Sequence, residues 1–312
     1  MIDVLLHSIH FEAPGIVSLE FSAPGLPRFS PGAHIDLHLP NRLVRSYSLL
    51  PPRPEAPARY RVAVLNTPGG RGGSACVHEA LRAGQTLRIS TPRNNFPCDL
   101  GAEHSVLVAG GIGITPLYAM AKALAIAGRA VELIYCARSH TRAAFLQELG
   151  ILHGLRVTTW SDDEHDGPPD LTALLAGRSA ETRFYACGPE PMLTAFEAAC
   201  SAFGYRHATL ERFAAPPPAL PPVTGGFNVV LQRSGRTLMI PPGQSILDVL
   251  LAEGIPCDYS CGEGLCGACE TEVLSGKPDH RDSVLTERQR AGNAKMMICV
   301  SRCAEGPIVL DR

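Results

Sequence analysis

Residues 214–226 hold five prolines and no charged side chain in a run of thirteen. Proline fixes φ and has no N–H to donate, so neither a helix interior nor a central strand can pass through such a run. A semi-rigid extended connection is what this composition favours. The run therefore separates parts of the chain that must each build a core. The 312 residues exceed one ordinary core. At roughly 100 to 200 residues per domain, two or three domains are expected, and three is the working count.

The pattern on either side of that run supports three. Short β-type runs at 2–11, 16–23, 34–40, 44–50, 60–66 and 86–92, separated by proline and glycine turns, predict a closed barrel or sandwich over residues 1–100. A helix is expected at 74–82, with Ser74 as N-cap and Gly84 as the stop. Over 101–213 strand-like runs (105–110, 131–137, 156–161, 183–188) alternate with helical ones (116–128, 142–152, 171–177, 191–204), and the last run is 207–213. Such alternation implies a parallel sheet with right-handed crossovers. Residues 227–312 read as a small mixed domain with one main helix at 245–254, about the size of a β-grasp fold.

With 45% hydrophobic residues, 19% charged and a net charge of -2, the chain has no global bias toward nucleic acid or an anionic membrane. The start lacks a basic region ahead of an apolar stretch, so a cytoplasmic protein is expected. The longest uncharged run, 105–121, is short and broken by Gly110, Gly111, Gly113 and Pro116, a poor membrane span.

Eleven cysteines in a reducing compartment call for metal binding or burial rather than a disulfide framework. Cys76, Cys98, Cys136 and Cys200 stand alone in apolar surroundings and read as small core residues. Cys261-Gly-Glu-Gly-Leu-Cys266-Gly-Ala-Cys269, with Cys299 downstream, has the C-x4-C-x2-C…C spacing of plant-type 2Fe-2S sites. Three thiolates on a tight loop reach around the irons, and the fourth closes the site from another segment. Gly262, Gly264 and Gly267 let the backbone wrap closely and turn N–H groups toward sulfur. A four-cysteine zinc site is the alternative, although zinc more often uses two C-x2-C pairs and one such pair is present. Cys257 and Cys303 are the reserve ligands.

On this cysteine pattern residues 225–312 resemble the ferredoxin domain that ends members of the phthalate dioxygenase reductase family. Many members have an acidic residue directly after the first cysteine, where this chain has Gly262 and then Glu263. Arg45-Ser46-Tyr47-Ser48 resembles the Arg-x-Tyr-Ser signature of the wider ferredoxin-reductase superfamily. The resemblance implies that Arg45 binds the flavin phosphate, Tyr47 stacks on the isoalloxazine and Ser48 hydrogen-bonds near N5. Arg71-Gly72-Gly73-Ser74, just before the short helix, offers backbone N–H groups and a cation for a phosphate. FMN rather than FAD is implied by the family, and the segment around Asn95 is expected at the domain seam near the flavin.

Gly110-Gly111-Ile112-Gly113-Ile114-Thr115-Pro116 departs from the usual dinucleotide fingerprint by placing Pro116 at the third glycine position. Proline suits a first helical turn, and Thr115 before it is expected to cap. The string resembles the pyridine-nucleotide loop of the same superfamily, and Cys187-Gly188-Pro189 its second signature, with Thr115 and Cys187 implied to lie beside the nicotinamide. Arg138 and Ser139 would welcome a ribose phosphate, whereas Asp162 and Asp163 would repel one; the family favours NADH. Phe213 stands where members have an aromatic covering the flavin, and simple packing at a strand end is the other reading.

The signatures occur in family order over the whole chain. They imply a reductase that takes hydride from NADH onto FMN and passes single electrons through a 2Fe-2S cluster to a separate oxygenase, Rieske-type in the family. No nucleic acid or membrane partner is expected. A reductase serving a non-oxygenase acceptor, and a binding protein with degenerate cofactor sites, are the alternatives.

Overall fold

The computed structural model describes residues 1–214 and 225–312, so most of the proline-rich run lies outside the described residues. The chain forms two compact units, Met1–Phe213 and Ala214–Arg312.

The first unit opens with β1 (Ile2–Ala13), β2 (Ile16–Ser22), β3 (His34–His38), β4 (Val44–Leu50), β5 (Tyr60–Leu65), α1 (Gly73–Ala80) and β6 (Thr86–Ile89). These strands close antiparallel in the order β1-β2-β5-β4-β3-β6, because β6 pairs with both β3 and β1. Alternation along β4 sorts its side chains. Leu49 enters the barrel core with Leu19, Phe21, Ile35 and Val62, and Tyr47 packs against that core. Leu50 instead joins a cluster with Leu117 and Met120, from the helix that covers the following sheet. Ser48, on the side of Leu50, therefore faces that sheet. Each apolar side chain fully buried this way stabilises the fold by about 1.5–3 kcal/mol.

The parallel sheet follows: β7 (His104–Gly110), α2 (Ile114–Ile126), β8 (Ala130–Ala137), α3 (Leu146–Gly150), β9 (Leu155–Ser161), α4 (Asp162–His165), α5 (Leu171–Leu175), β10 (Arg183–Cys187), α6 (Glu190–Ala202) and β11 (Ala208–Glu211). Its order is β11-β10-β7-β8-β9, with every pairing parallel. Both faces are covered. Leu107, Ala109, Leu133, Tyr135 and Cys187 belong to the cluster containing α2, and Val106, Val108, Ile134, Phe184 and Ala186 to the one containing α5 and α6. Chain order runs outward from β7 to β9 and then returns with β10 on the other side. The winding therefore reverses between β7 and β10, the place where open α/β sheets bind ligands beyond their strand ends.

In the second unit β12 (Phe227–Leu231), β13 (Arg236–Ile240), α7 (Ile246–Ala252), β14 (Glu270–Asp279), α8 (Glu287–Gly292), β15 (Lys295–Met297) and β16 (Arg302–Leu310) form one helix-backed sheet. The order is β13-β12-β16-β14-β15, with β12 and β16 parallel and the remaining pairs antiparallel. Ser245 and Asp248 close a capping box at the start of α7. Ile246, Leu247 and Leu250 then enter the core beside Val229, Ile240, Met297 and Ile308. This is the expected β-grasp arrangement.

Three local expectations are corrected. The helix expected at 74–82 is Gly73–Ala80, capped by Gly72 at φ 80°, while the Ser74 hydroxyl accepts from Thr67 N–H at 3.1 Å instead of capping. The helix expected at 142–152 is cut to Leu146–Gly150, because Arg142 ends a 3-10 turn and Phe145 sits at φ 68°. The strand expected at 296–301 stops at Met297; Val300 and Ser301 N–H groups both donate to the Met297 carbonyl, so Cys299 lies in a turn.

Candidate redox site

Between α7 and β14 the loop carrying Cys261, Cys266 and Cys269 meets the turn carrying Cys299. The thiols stand as two pairs. Cys269 Sγ lies 3.1 Å from Cys299 Sγ, and Cys261 and Cys266 hydrogen-bond to one another. Backbone N–H groups of Glu263 and Leu265 point at Cys261 Sγ from 3.3 and 3.4 Å. The hydrogen bond from Cys266, helped by these amides against the cost of burial, draws the Cys261 thiol below its ordinary pKa. The same bond and burial push Cys266 up. Gly264 has φ +69°, and a Cβ there would lie 2.6 Å from Val300 Cγ2 and 3.0 Å from Asp282 Cα, so the loop is pressed onto its neighbours. Among the described residues no three or more His, Cys, Asp or Glu side chains gather about one metal position. Two thiol pairs are the donor set of a cluster with two irons, and this set fits a 2Fe-2S group better than a single zinc ion. The reserve ligands point elsewhere: Cys257 Sγ donates to the Ile255 carbonyl and Cys303 Sγ to that of Gly306.

In the barrel, Arg45, Arg71, Gly72, Gly73 and Ser74 meet at the start of α1. Arg45 donates from Nη1 to the Val44 carbonyl and from Nη2 to that of Arg71, at 2.8 and 3.3 Å. It lies so close over Gly73 that a Cβ there would be 2.7 Å from Arg45 Nε. Ser46 is not with this group. Its hydroxyl donates to Asp36 Oδ1 at 2.7 Å, and Asp36 also receives Arg93 Nη2 at 2.6 Å. Burial pushes the Tyr47 phenol up to about 12, so it stays neutral at ordinary pH. Asn95 is exposed, whereas Asn94 ties the segment down through Ser30 and the Pro31 carbonyl.

At the sheet's reversal point the loops after β7 and β10 are packed backbone to backbone. A Cβ on Gly113 would lie 2.1 Å from the Cys187 carbonyl oxygen, one on Gly110 2.7 Å from Pro189 Cδ, and one on Gly188 3.0 Å from Gly110 Cα. Glycine is required here for approach rather than for a turn. Thr115 is corrected as a cap: a 3-10 turn, Gly111–Gly113, leads into α2, which begins at Ile114, so Thr115 is already inside the helix and its hydroxyl donates to the Ile112 carbonyl at 3.0 Å. Pro116 then occupies the third helical position, where its missing N–H costs nothing because the first four N–H groups lack helical partners. Cys187 is fully buried and burial raises its thiol, so it is a neutral packing and contact group.

Arg138 and Asp162 close the same corner beyond β8 and β9, where Asp163 N–H donates to the Arg138 carbonyl at 3.2 Å. Phe213, just past β11, is 44% exposed. Glu211 was not foreseen. It pairs in register with Cys187, its Oε2 is enclosed without a hydrogen-bond partner, and burial pushes its carboxyl up to about 8. Nothing in the string Leu-Glu-Arg marks it, since its enclosure arises only from strand pairing.

The model of 2Fe-2S iron-sulfur cluster binding domains matches residues 229–304, and that of the N-terminal domain of dimethylamine monooxygenase subunit DmmA-like proteins matches 86–210. Phthalate dioxygenase reductase, whose solved structure is described as modular for electron transfer from pyridine nucleotides to [2Fe-2S], is 32% identical. The match covers 100% of this chain and 98% of that one at a TM-score of 0.70. The chain belongs to the phthalate dioxygenase reductase family. Like other reductases of this family it is an oxidoreductase of a multicomponent oxygenase system, and its cofactors are NADH, FMN and a 2Fe-2S cluster. The phenoxybenzoate dioxygenase subunit beta of Ectopseudomonas oleovorans is 44% identical over 99% of this chain and 97% of its own. An intact type IV self-sufficient cytochrome P450 monooxygenase is 38% identical over 99% of this chain at a TM-score of 0.91. This reductase spans 41% of that P450's length.

Proposed function

We propose that residues 1–100 form the FMN domain, 101–213 the NADH domain, 214–226 the link and 227–312 the ferredoxin domain of a reductase serving a separate Rieske-type oxygenase. The observation that carries the reading is Leu50, which lies on the same side of β4 as Ser48 and packs with Ile114 and Leu117 of the helix that carries Thr115. When bound, FMN and NADH supply hydride chemistry and the iron-sulfur group supplies one-electron transfer; the protein's part is to hold and orient them. Arg45, Arg71 and the N–H groups of Gly72, Gly73 and Ser74 bind the flavin phosphate. Tyr47 packs on the flavin ring, with Ser48 near N5 and Asn95 at the seam, and Ser46 acts indirectly by fixing Asp36.

Gly110, Gly111, Gly113, Pro116, Gly188 and Pro189 shape the pyrophosphate cradle. Thr115 and Cys187 bound the nicotinamide, and Phe213 covers the flavin. Arg138 and Asp162 border the adenosine ribose, where the carboxylate favours NADH over NADPH. Cys261, Cys266, Cys269 and Cys299 hold the irons. A cytoplasmic location suits these thiolates, which must stay reduced to be loaded. Among the described residues no helix is long and apolar enough to cross a membrane.

The test is stoichiometric product formation on adding the reductase and NADH to a purified Rieske-type oxygenase. A haem-containing acceptor is the second reading, supported by the 0.91 TM-score to the P450. Turnover with a haem oxygenase and none with a Rieske protein would decide for it.

A further inference from the structure

We propose that Arg61 and Glu148 are positioning residues that set the register between the flavin-binding strand and the nucleotide loop, an inference that rests on the roles given above to Ser48 and Thr115. Arg61 lies on β5 opposite Leu50 of β4, two residues beyond Ser48. Its side chain is 0% exposed. From the barrel it reaches across to α3 and grips Glu148 with both terminal nitrogens, Nη1 to Oε2 and Nη2 to Oε1, each at 2.7 Å. Nη2 also donates to Glu12 Oε1 on β1 at 2.9 Å, and the guanidinium carbon sits 5.0 Å from the centre of the Phe145 ring. Glu148 in turn accepts the Tyr118 hydroxyl at 2.7 Å, and Tyr118 is one helical turn beyond Thr115 on α2. The chain of contacts thus runs from the strand of Ser48 to the helix of Thr115.

Near the pair the rest of the seam is apolar, and the other polar contacts, Asp99 N–H to the Tyr185 hydroxyl and Arg183 to the Asp99 carboxylate, lie at the chain's own crossing between the two layers. Ala13, Ile16, Leu50 and Ala63 from the barrel meet Leu117, Phe145 and Leu149 from the other layer, and apolar contact of this kind has no preferred direction. A bidentate guanidinium–carboxylate fork is satisfied in one relative orientation. Burial raises the Glu148 carboxyl, but the hydrogen bonds from Arg61 and Tyr118 outweigh it and hold the group ionised, below the usual range. Arg61 is enclosed and Glu148 partly so; a pair of this sort contributes little net stability relative to apolar groups of similar volume, so its contribution is directional.

The experiment compares full-length, cofactor-loaded Glu148→Gln with the double variant Arg61→Met/Glu148→Met. Glu148→Gln leaves a buried cation short of its partner and lowers the unfolding temperature, whereas the double variant leaves no unpaired charge and regains it. In both, the limiting rate of flavin bleaching at saturating NADH falls by about 100-fold, the scale of a displacement near 1 Å, while half-saturation by NADH stays within about threefold. In flavin-free protein, amide exchange over residues 111–118 is faster in the double variant than in wild type, a readout independent of turnover.

A double variant that bleaches at the wild-type rate once its stability is regained overturns the proposal and leaves the pair structural. Tyr118→Phe, which removes one hydrogen bond from Glu148, decides the matter where the double variant does not fold; an unchanged limiting rate there also overturns it. Ser48→Ala and Thr115→Val run alongside. Wild-type bleaching in those two defeats the reading of the site itself, not the register.

Discussion

Gly113→Ala tests the nucleotide cradle with a single methyl group. The added Cβ would fall 2.1 Å from the Cys187 carbonyl oxygen and 2.8 Å from Gly188 N, both backbone atoms that no rotamer change can clear. Restoring ordinary contact at 3.4 Å parts the two loops by about 1.3 Å. Overpacking of this kind costs about 1–3 kcal/mol of stability, and a misplacement near 1 Å costs about 100-fold in rate. The expected outcome is a folded, yellow protein whose flavin bleaches about 100-fold more slowly with NADH in a stopped-flow mixer, with the cluster's absorbance unchanged. Gly150→Ala is the control, since a Cβ there meets nothing within 4 Å and its φ is not positive. Wild-type bleaching by Gly113→Ala would show that the close approach of the two loops has no part in holding the nucleotide.

Cys266→Ser removes the iron-sulfur absorbance and leaves NADH able to bleach the flavin; loss of bleaching in a folded variant would break the assigned order of transfer. Arg45→Ala gives up charge-assisted hydrogen bonds worth about 1.5–3 kcal/mol, so equilibrium dialysis should show FMN held about 10- to 100-fold more weakly. Glu211 keeps its proton in the folded chain up to about pH 8 but releases it near 4.5 when unfolded. Below 4.5 both states are protonated; as pH rises from 4.5 to about 8 the folded state binds more protons and loses stability, and denaturant titrations should show this slope flattened in Glu211→Gln.

The sites that could be read along the chain are those whose chemistry is local. Cys261, Cys266 and Cys269 sit within nine residues, and Gly110 to Pro116 form one turn, so spacing alone carries their meaning. The barrel and the parallel sheet were legible for the same reason, because the period of the apolar residues changes near residue 100. Caps were less legible. Ser74 and Thr115 have the right side chains, but each hydroxyl is taken by a backbone group outside the helix, and a glycine just before it caps the helix. What could not be read were partners far apart in sequence. Arg61 and Glu148 are 87 residues apart, and Glu211 gains its unusual carboxyl from the strand beside it.

The sheet order of the ferredoxin unit also sets a schedule for its birth. β16, the last of its strands to be synthesised, is a central one, lying between β12 and β14. Until it emerges from the ribosome, β12 and β14 have open edges, and Cys299, made just before it, has not joined the other three thiols. The core of the first unit is complete by residue 213 and can form while translation continues. The ferredoxin unit instead exposes two unfinished strand edges until β16 arrives, the state that favours edge-to-edge pairing with other chains, and its fourth thiol is made only just before that strand.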